Sequence, residues 1–238
     1  MVAEGACRGL ALLMAHAVLF SFSRGGALGL LVSGIVLAAL MPKSPKTWGL
    51  LGVCAVMAAL LAGPEVRDRF MTAFVKEEGQ REASAQSRVD LWKDCLDVMK
   101  KHPVMGIGPN HWPVIAPEYG WPAGKEAHSL WFQCGAEQGF VGLGLFLGFY
   151  LLCIFQLWRV TWKRTVVDDE WTKDTARMAL TSLCGFVVSG SFVSTEALEI
   201  PYYTVMLGCG ALKLATVRRP VEECESEYLS VAPSLAPG

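Results

Sequence analysis

Two titratable side chains stand where a polar loop enters an apolar run, in the stretch EAHSLWFQCGAEQG of residues 126–139. His128 lies at the boundary, and an imidazole at a membrane surface can move protons near neutral pH. Glu137 follows about two and a half helical turns later, and a carboxylate that enters a bilayer is costly enough to indicate a task or a partner. The alternative is an interfacial histidine beside a glutamate that caps a packed helix, and these residues alone do not decide between the two.

Composition indicates that the elements around these residues are membrane helices. Of the 238 residues, 53% are hydrophobic and only 18% are charged, with a mean hydropathy of +0.37. The apolar residues come in runs rather than in alternation, which predicts an all-α integral membrane protein. A formal net charge of −1, without a basic stripe carrying interleaved aromatic residues, argues against a nucleic-acid partner.

The eight cysteines are scattered and form no CxxC or Cys/His pattern, so we expect neither a zinc site nor another metal. Most of them lie in apolar runs, where cysteine behaves as a small hydrophobic residue. A disulfide between Cys95 and Cys134 is one option, because both could face the same, non-cytoplasmic side of the membrane.

About six apolar runs approach the length of roughly 20 residues that a bilayer requires. They cover residues 7–23, 25–41, 47–63, 139–158, 176–194 and 200–217. Basic clusters follow the second, fourth and sixth runs and fall on one side of the membrane, which makes that side and both termini cytoplasmic. These clusters are Lys43 and Lys46; Arg159, Lys163 and Arg164; and Lys213, Arg218 and Arg219.

The sequence therefore divides into four parts. Residues 1–63 form three transmembrane helices and include Arg24, residues 64–127 form one large outward-facing loop, and residues 128–219 form three more transmembrane helices. Residues 220–238 are acidic and end in prolines, which predicts a disordered cytoplasmic tail.

The large loop contains one amphipathic helix. Ser87 with Asp90 three residues later predicts its start, apolar residues at helical spacing give it about four turns, and Pro103 ends it. From residue 103 to 124 the chain is rich in glycine, proline and aromatic residues, which predicts an ordered loop on the membrane face rather than regular structure. The glycines from Gly139 to Gly148 favour close helix packing over a phosphate cradle.

Four motifs in this order resemble the C-terminal core of the O-antigen ligase and polymerase superfamily. They are SRGG at residues 23–26, the outer helix from Ser87 and Arg88 to Trp92, HPVMGIGP at residues 102–109, and the segment from His128 to Gly142. The resemblance covers residues 10–155 or so, and the last two spans fit the usual ending of such proteins.

The resemblance implies an enzyme of the bacterial inner membrane whose active face is periplasmic. Such enzymes move a glycan from a polyprenyl-diphosphate carrier to a lipid A core sugar, a growing polysaccharide or another acceptor, without metal or cofactor. Carried over by motif position, Arg24 and Arg88 bind the diphosphate and His128 is the catalytic base. Lys125 is expected to add a weaker charge at the diphosphate, and Glu137 to orient His128 or the acceptor, or to support the fold.

Those residue types also suit the chemistry. Arginine contacts phosphate oxygens in a bidentate manner and stabilises the charge that develops on the leaving diphosphate. An acceptor hydroxyl loses its proton as it attacks, and a histidine can take that proton.

Two departures from the family leave a second class of function open. The chain has fewer spans than its relatives usually have and resembles their C-terminal half, so the carrier groove is expected to need a separate N-terminal membrane partner. Ser129 also stands where the family commonly has asparagine. The alternative is a truncated, non-catalytic membrane protein or subunit that keeps the ligase fold. A transporter with His16 and Glu137 in a polar pathway is the third interpretation.

Overall fold

A computed structural model gives the fold of this chain. It describes residues 9–10, 13–18, 20–21, 23–41, 49, 52, 78–162, 169–194 and 198–231, and for residues 24, 78–85 and 216–231 the backbone alone. All regular elements in these ranges are helices, so the prediction of an all-α protein is confirmed for the described part of the chain.

Besides the helical residues 9–10, 13–18, 20, 49 and 52, six α-helices and one 3-10 turn follow each other along the described residues. They are α1 (Arg24–Leu40), α2 (Glu78–Lys101), α3 (Trp112–Ile115), the 3-10 turn (Ala116–Tyr119), α4 (Leu130–Trp162), α5 (Glu170–Gly190) and α6 (Ile200–Val231). Helix α4 is the one helix in these ranges that is long and apolar enough to cross a membrane, and Gly25–Leu40 is a shorter apolar helix. The number of six spans stays a prediction.

The predicted spans differ from the observed helices at several ends. The third run, 47–63, lies outside the described residues except for Gly49 and Gly52, which are helical. Helix α5 begins at Glu170, ahead of the predicted 176, because the Asp169 carboxylate caps it by accepting the Thr172 N–H at 3.2 Å. Helix α6 continues to Val231, where we expected disorder from residue 220.

The described part of the large loop, residues 78–127, is more helical than its sequence predicts. Helix α2 begins at Glu78, so Ser87 lies inside the helix and the predicted start there is wrong. Its end at Lys101 agrees with the expected stop before Pro103. The loop that follows is ordered, as predicted, although it includes the short helix α3 and the 3-10 turn.

Helices α1, α4, α5 and α6 pack into a group that we call the bundle. Glycines bring α1 against α5: a Cβ atom on Gly25 would lie 2.7 Å from the Cβ of Phe192, and one on Gly29 would lie 3.0 Å from the Gly185 carbonyl oxygen. The Ser33 hydroxyl donates a hydrogen bond to the Thr181 carbonyl at 3.3 Å. Close approach of small residues is the usual way in which membrane helices associate.

Apolar side chains form the rest of the bundle core. Its buried members are Tyr150, Cys153, Leu157, Ala176, Ala179, Leu180, Leu183, Val205 and Ala211. Trp131 and Phe146 join them, with ring centroids 5.9 Å apart. Nothing among the described atoms lies within 4 Å of a Cβ built on Gly144 or Gly148, so the packing role of these two glycines stays a prediction.

Residues 86–129 pack on the first turns of α4, and we call this region the head. Its core combines Leu91, Cys95, Val98, Trp112, Ala116 and Ala127 with Ala136 of α4. Cys95 and Cys134 are both buried thiols that form no disulfide, so that option is excluded. Burial raises the pKa of the Cys95 thiol well above its usual range.

Candidate functional site

The first turns of α4 are interrupted at Gly139, and the head fills the gap. Gly139 has φ 70° and ψ −176°, which breaks the helical hydrogen-bond series. The N–H groups of Ile107 and Gly108 donate to the carbonyls of Ala136 and Glu137 at 3.1 and 2.9 Å. In the opposite direction, the Phe140 N–H donates to the Pro103 carbonyl at 2.8 Å. The loop therefore satisfies the backbone groups that the break would otherwise leave without partners.

This backbone clasp depends on two glycines. A Cβ atom on Gly139 would lie 2.7 Å from the Pro103 carbonyl oxygen and 2.8 Å from the carbonyl of Val104. A Cβ atom on Gly106 would collide with the backbone of Glu137 and Gln138. Both glycines also have positive φ, at 70° and 64°, which L side chains rarely adopt. Only glycine fits at either position.

Glu137 is completely buried at the centre of this junction. Its carboxyl group accepts the backbone N–H of Asn110 at 2.6 Å and that of Trp112 at 3.2 Å. The Gln133 side-chain amide donates to it in a longer contact of 3.4 Å. Glu137 thus fastens the loop to α4.

The peptide groups on both sides of Ala127 are held by side chains from two helices. The Ala127 N–H donates to Gln133 Oε1 at 3.2 Å, and the Ala127 carbonyl accepts from Trp92 Nε1 at 3.0 Å. The Trp92 ring stacks on Phe132, with centroids 5.1 Å apart and planes 6° from parallel. His128 follows directly with φ 52°, an unusual conformation for a residue with a side chain.

His128 is partly buried and lies among charged neighbours. Burial lowers the pKa of its imidazole below the usual value, and the positive charges of Lys125 and Arg88 lower it further. The Glu126 carboxylate acts in the opposite direction and raises this pKa. The net direction is downward, so the imidazole is mainly neutral at pH 7 and can accept a proton.

The structure therefore brings three of the candidate residues into one electrostatic neighbourhood: Arg88, Lys125 and His128. Glu137 connects to the residue before His128 through Gln133. Arg24 is the first residue of α1, directly after the Ser23 cap. Its side chain lies outside the described residues, so its place at the site stays a prediction.

Sequence reasoning overlooked Gln133 and Trp92 as residues that hold the loop before His128. One signal was available, since Gln133 is an uncharged polar residue one helical turn before Glu137 in an otherwise apolar run. The sequence placed Trp92 on the apolar face of its helix, one turn from Arg88 and within stacking reach of that guanidinium, and nothing local predicted that its indole N–H reaches residue 127.

One comparison with known proteins gives a match. The profile of a family described as O-antigen ligase matches residues 9–147, which is more than half of the 238-residue chain. The matched range includes α1, the head and the interrupted part of α4. No curated protein and no solved structure matches the chain.

Proposed function

The chain belongs to the O-antigen ligase family, and from that premise we propose that it is a glycosyltransferase acting at the outer face of the bacterial inner membrane. The family indicates ligase- or polymerase-like activity on lipid-linked glycans in a membrane. In our proposal the donor is a glycan on a polyprenyl diphosphate. The acceptor is a hydroxyl of a lipid A core, a growing polysaccharide or another molecule of the cell envelope.

The proposed reaction is a single displacement at the anomeric carbon. The acceptor oxygen forms a bond to that carbon while the carbon–oxygen bond to the diphosphate breaks, and the leaving diphosphate keeps the electron pair. His128 takes the acceptor proton as general base. Arg88, Arg24 and the weaker charge of Lys125 stabilise the negative charge of the diphosphate. One displacement inverts the anomeric configuration, and the step needs no metal or cofactor.

One observation carries this proposal: the neighbourhood of His128. An imidazole that burial and the charges of Lys125 and Arg88 keep mainly neutral is suited to take a proton next to an anionic leaving group. The positive charges that, after burial, lower the pKa of this imidazole are also those that would attract the diphosphate. In this proposal a bound anionic diphosphate offsets these charges and makes His128 a stronger base.

The membrane arrangement belongs to the same proposal. We place the head on the periplasmic side and both termini in the cytoplasm, with six helices crossing the bilayer. An apolar α4 that begins at Leu130, two residues after His128, supports a site at the membrane surface. Labelling of a cysteine introduced at Ser84 by an impermeant reagent tests this topology, and labelling only after lysis would overturn it.

Reconstitution tests the activity. The chain in lipid vesicles receives a polyprenyl-diphosphate glycan and cell-envelope acceptors, and release of the carrier is measured. Base catalysis typically contributes about 10²–10⁴-fold, so His128→Ala should lose turnover by that factor. His102→Ala is the matched control, because His102 is exposed at the end of α2. Equal loss in both variants would contradict a specific role for His128.

A second variant tests the diphosphate site. Arg24→Lys keeps the positive charge but loses the forked geometry that suits phosphate. We expect weaker donor binding, read as a higher KM for the carrier-linked glycan. Unchanged donor affinity would remove Arg24 from the site. If a folded native sample releases no carrier, the chain is instead a half that needs a separate N-terminal membrane partner or a non-catalytic protein that keeps this fold.

A further inference from the structure

The backbone of His128 is held in an unfavourable conformation by its neighbours. A left-handed conformation costs a residue with a side chain about 1–2 kcal/mol, and His128 has φ 52°. Such a conformation persists only where the surroundings impose it. Two side chains, from Trp92 and Gln133, hold both polar groups of the preceding residue, Ala127.

The Gln133 amide can make these contacts in one orientation only. The backbone N–H of Ala127 donates and cannot accept, so Gln133 Oε1 must face it, at 3.2 Å. The amide nitrogen is then left to donate to Glu137 Oε1 at 3.4 Å. Glu137 is itself oriented by the N–H groups of Asn110 and Trp112. A continuous series of hydrogen bonds thus runs from the loop to the residue before His128.

We propose that Gln133 and Trp92 are positioning residues that fix the direction of the His128 imidazole through the backbone of Ala127. This inference rests on the proposed role of His128 as base. Neither side chain is required to touch the substrate. If either hydrogen bond is lost, His128 can relax to negative φ, which turns its imidazole away from the acceptor.

Three variants separate positioning from general support. Trp92→Phe removes the indole donor and keeps a ring to stack on Phe132, and Gln133→Met removes the amide at similar volume. Trp121→Phe is the control, because it removes an indole hydrogen bond of the head, to Asp94 at 2.8 Å, that does not involve Ala127. Misplacement of a catalytic group by about 1 Å can cost about 10²-fold. We expect kcat to fall about 10- to 100-fold in the first two variants, with KM for the donor unchanged and Trp121→Phe near native.

A pH profile gives a second readout. Release of His128 increases its contact with water, which weakens the main cause of its lowered pKa. The acid limb of kcat/KM should therefore move to higher pH in Trp92→Phe and Gln133→Met. The other charges near the imidazole, Lys125, Arg88 and Glu126, stay in place. Trp121→Phe should leave the limb where it is.

The same substitutions in a His128→Ala background distinguish positioning of His128 from general structural support. Positioning residues act through His128, so Trp92→Phe and Gln133→Met should cause no further loss there. An equal further loss in that background would overturn the inference and leave a merely structural role. Native turnover in His128→Ala alone would instead overturn the proposed function. The two failures are therefore distinguishable.

A different observation concerns the tip of the loop. Val104 and Met105 are exposed by 60% and 81%, although the residues beside them are tied to the backbone of α4. The Pro103 carbonyl accepts the Phe140 N–H at 2.8 Å, so the tip stands level with the start of the second part of α4. There Phe140 and Val141 are exposed as well, by 45% and 52%.

Charges next to the tip fit the same surface. Lys100, Lys101 and His102 end α2 directly before it and are exposed. An apolar tip beside basic side chains is the pattern of a segment that enters the interface of an anionic bilayer. From this continuity with the apolar surface of α4, we propose that Val104 and Met105 insert into the outer leaflet as a lipid contact of the head.

Photocrosslinking tests this contact. A benzophenone amino acid replaces Met105 in one variant and Lys93 in the control. Lys93 is exposed on α2, about two turns before the end of that helix. The full chain is placed in vesicles of phosphatidylethanolamine and phosphatidylglycerol. Irradiation should attach lipid acyl chains at position 105 and few at position 93. Equal lipid adducts at both positions, or crosslinks from position 105 to a second copy of the chain, would overturn the proposal.

Discussion

The head and the bundle are held together by different forces. Where the head meets α4, side chains with one defined hydrogen-bonding direction contact the backbone of the head: Glu137 and Gln133 of α4 accept N–H groups of Asn110, Trp112 and Ala127, and Trp92 donates to the Ala127 carbonyl. In the bundle, glycines and apolar rings fill space. Hydrogen bonds between bundle helices are present as well, from the Ser33 hydroxyl to the Thr181 carbonyl at 3.3 Å and from Trp131 Nε1 to the Val187 carbonyl at 3.2 Å.

This difference separates two tasks. A buried polar network loses much of its value when one member is missing, because each remaining donor or acceptor is left without a partner. Apolar packing tolerates changes of about one methyl group at moderate cost. We therefore expect small substitutions in the head to displace a side chain of the candidate site. The bundle supports the head and should tolerate such substitutions better.

The most damaging single change is expected at the clasp. Gly106→Ala places a Cβ against the Glu137 and Gln138 backbone at a positive φ, and backbone strain alone costs about 1–3 kcal/mol. We expect the loop to leave α4, which opens the head to protease and abolishes carrier release. Limited proteolysis of the reconstituted protein measures this. Gly108→Ala is the control, because its φ is also positive but nothing lies within 4 Å of its Cβ. Similar protease sensitivity in both variants would show that Gly106→Ala acts through backbone strain and not through the contact with Glu137 and Gln138.

Glu137 should come next. Glu137→Ala leaves the N–H groups of Asn110 and Trp112 without their acceptor, at about 1–3 kcal/mol for each unsatisfied group. Glu137→Gln keeps one oxygen but replaces the other with an NH₂ group, so it should lose less. Hydrogen exchange of the backbone N–H groups of residues 110–112 measures this. We expect protection to decrease from the native protein to Glu137→Gln and then to Glu137→Ala. Native protection in the Ala variant would show that the loop is held by its backbone bonds to α4 alone.

The bundle should respond less. Gly29→Ala forces a Cβ to within 3.0 Å of the Gly185 carbonyl and of Ser189, and overpacking typically costs about 1–3 kcal/mol. Replacing glycine by alanine in a helix stabilises the helix by up to about 1 kcal/mol, so the net loss in free energy of unfolding should be small. Gly144→Ala meets nothing and should be neutral or slightly stabilising. Thermal unfolding in detergent compares the two, and a reversed order would contradict the packing of α1 on α5.

The smallest effect is electrostatic and confined to the head. Lys125→Met removes a positive charge that lowers the pKa of His128, so this pKa should rise and the acid limb of kcat/KM should move to higher pH. Glu126→Gln removes a negative charge that raises it, so the limb should move to lower pH. The second shift is expected to be the smaller, because Glu126 is exposed. If both variants move the acid limb in the same direction, the effect assigned to one of these two charges on the pKa of His128 is wrong.

The sequence predicted the helical class and the end of the outer helix, because both depend on local signals. Runs of apolar residues identify helices, and Pro103 ends one wherever it stands. The start at Ser87 failed for a local reason as well. Residues 78–86 read EGQREASAQ, and most of these residues favour a helix strongly enough to extend it through the capping signal.

The geometry of the site was harder to predict from the sequence. The clasp consists of backbone groups on residues 103–108 and 136–140, and backbone groups carry no side-chain signature. Glycine is the one visible trace, at Gly106 and Gly139, and we assigned the second to ordinary helix packing. The grouping of Arg88 and Lys125 around His128 also depends on where α2 lies on α4, which no periodicity predicts.

The interruption at Gly139 also has a consequence for the order in which the protein is made. The loop of residues 103–108 leaves the ribosome about 30 residues before the carbonyls that it will bind, or about 1.5–6 seconds earlier at about 5–20 residues per second. The loop residues that pair with the break are therefore already synthesised when residues 136–140 follow. When residues 136–140 emerge, their N–H and C=O groups can pair at once, and α4 need not first form as a continuous helix and then open.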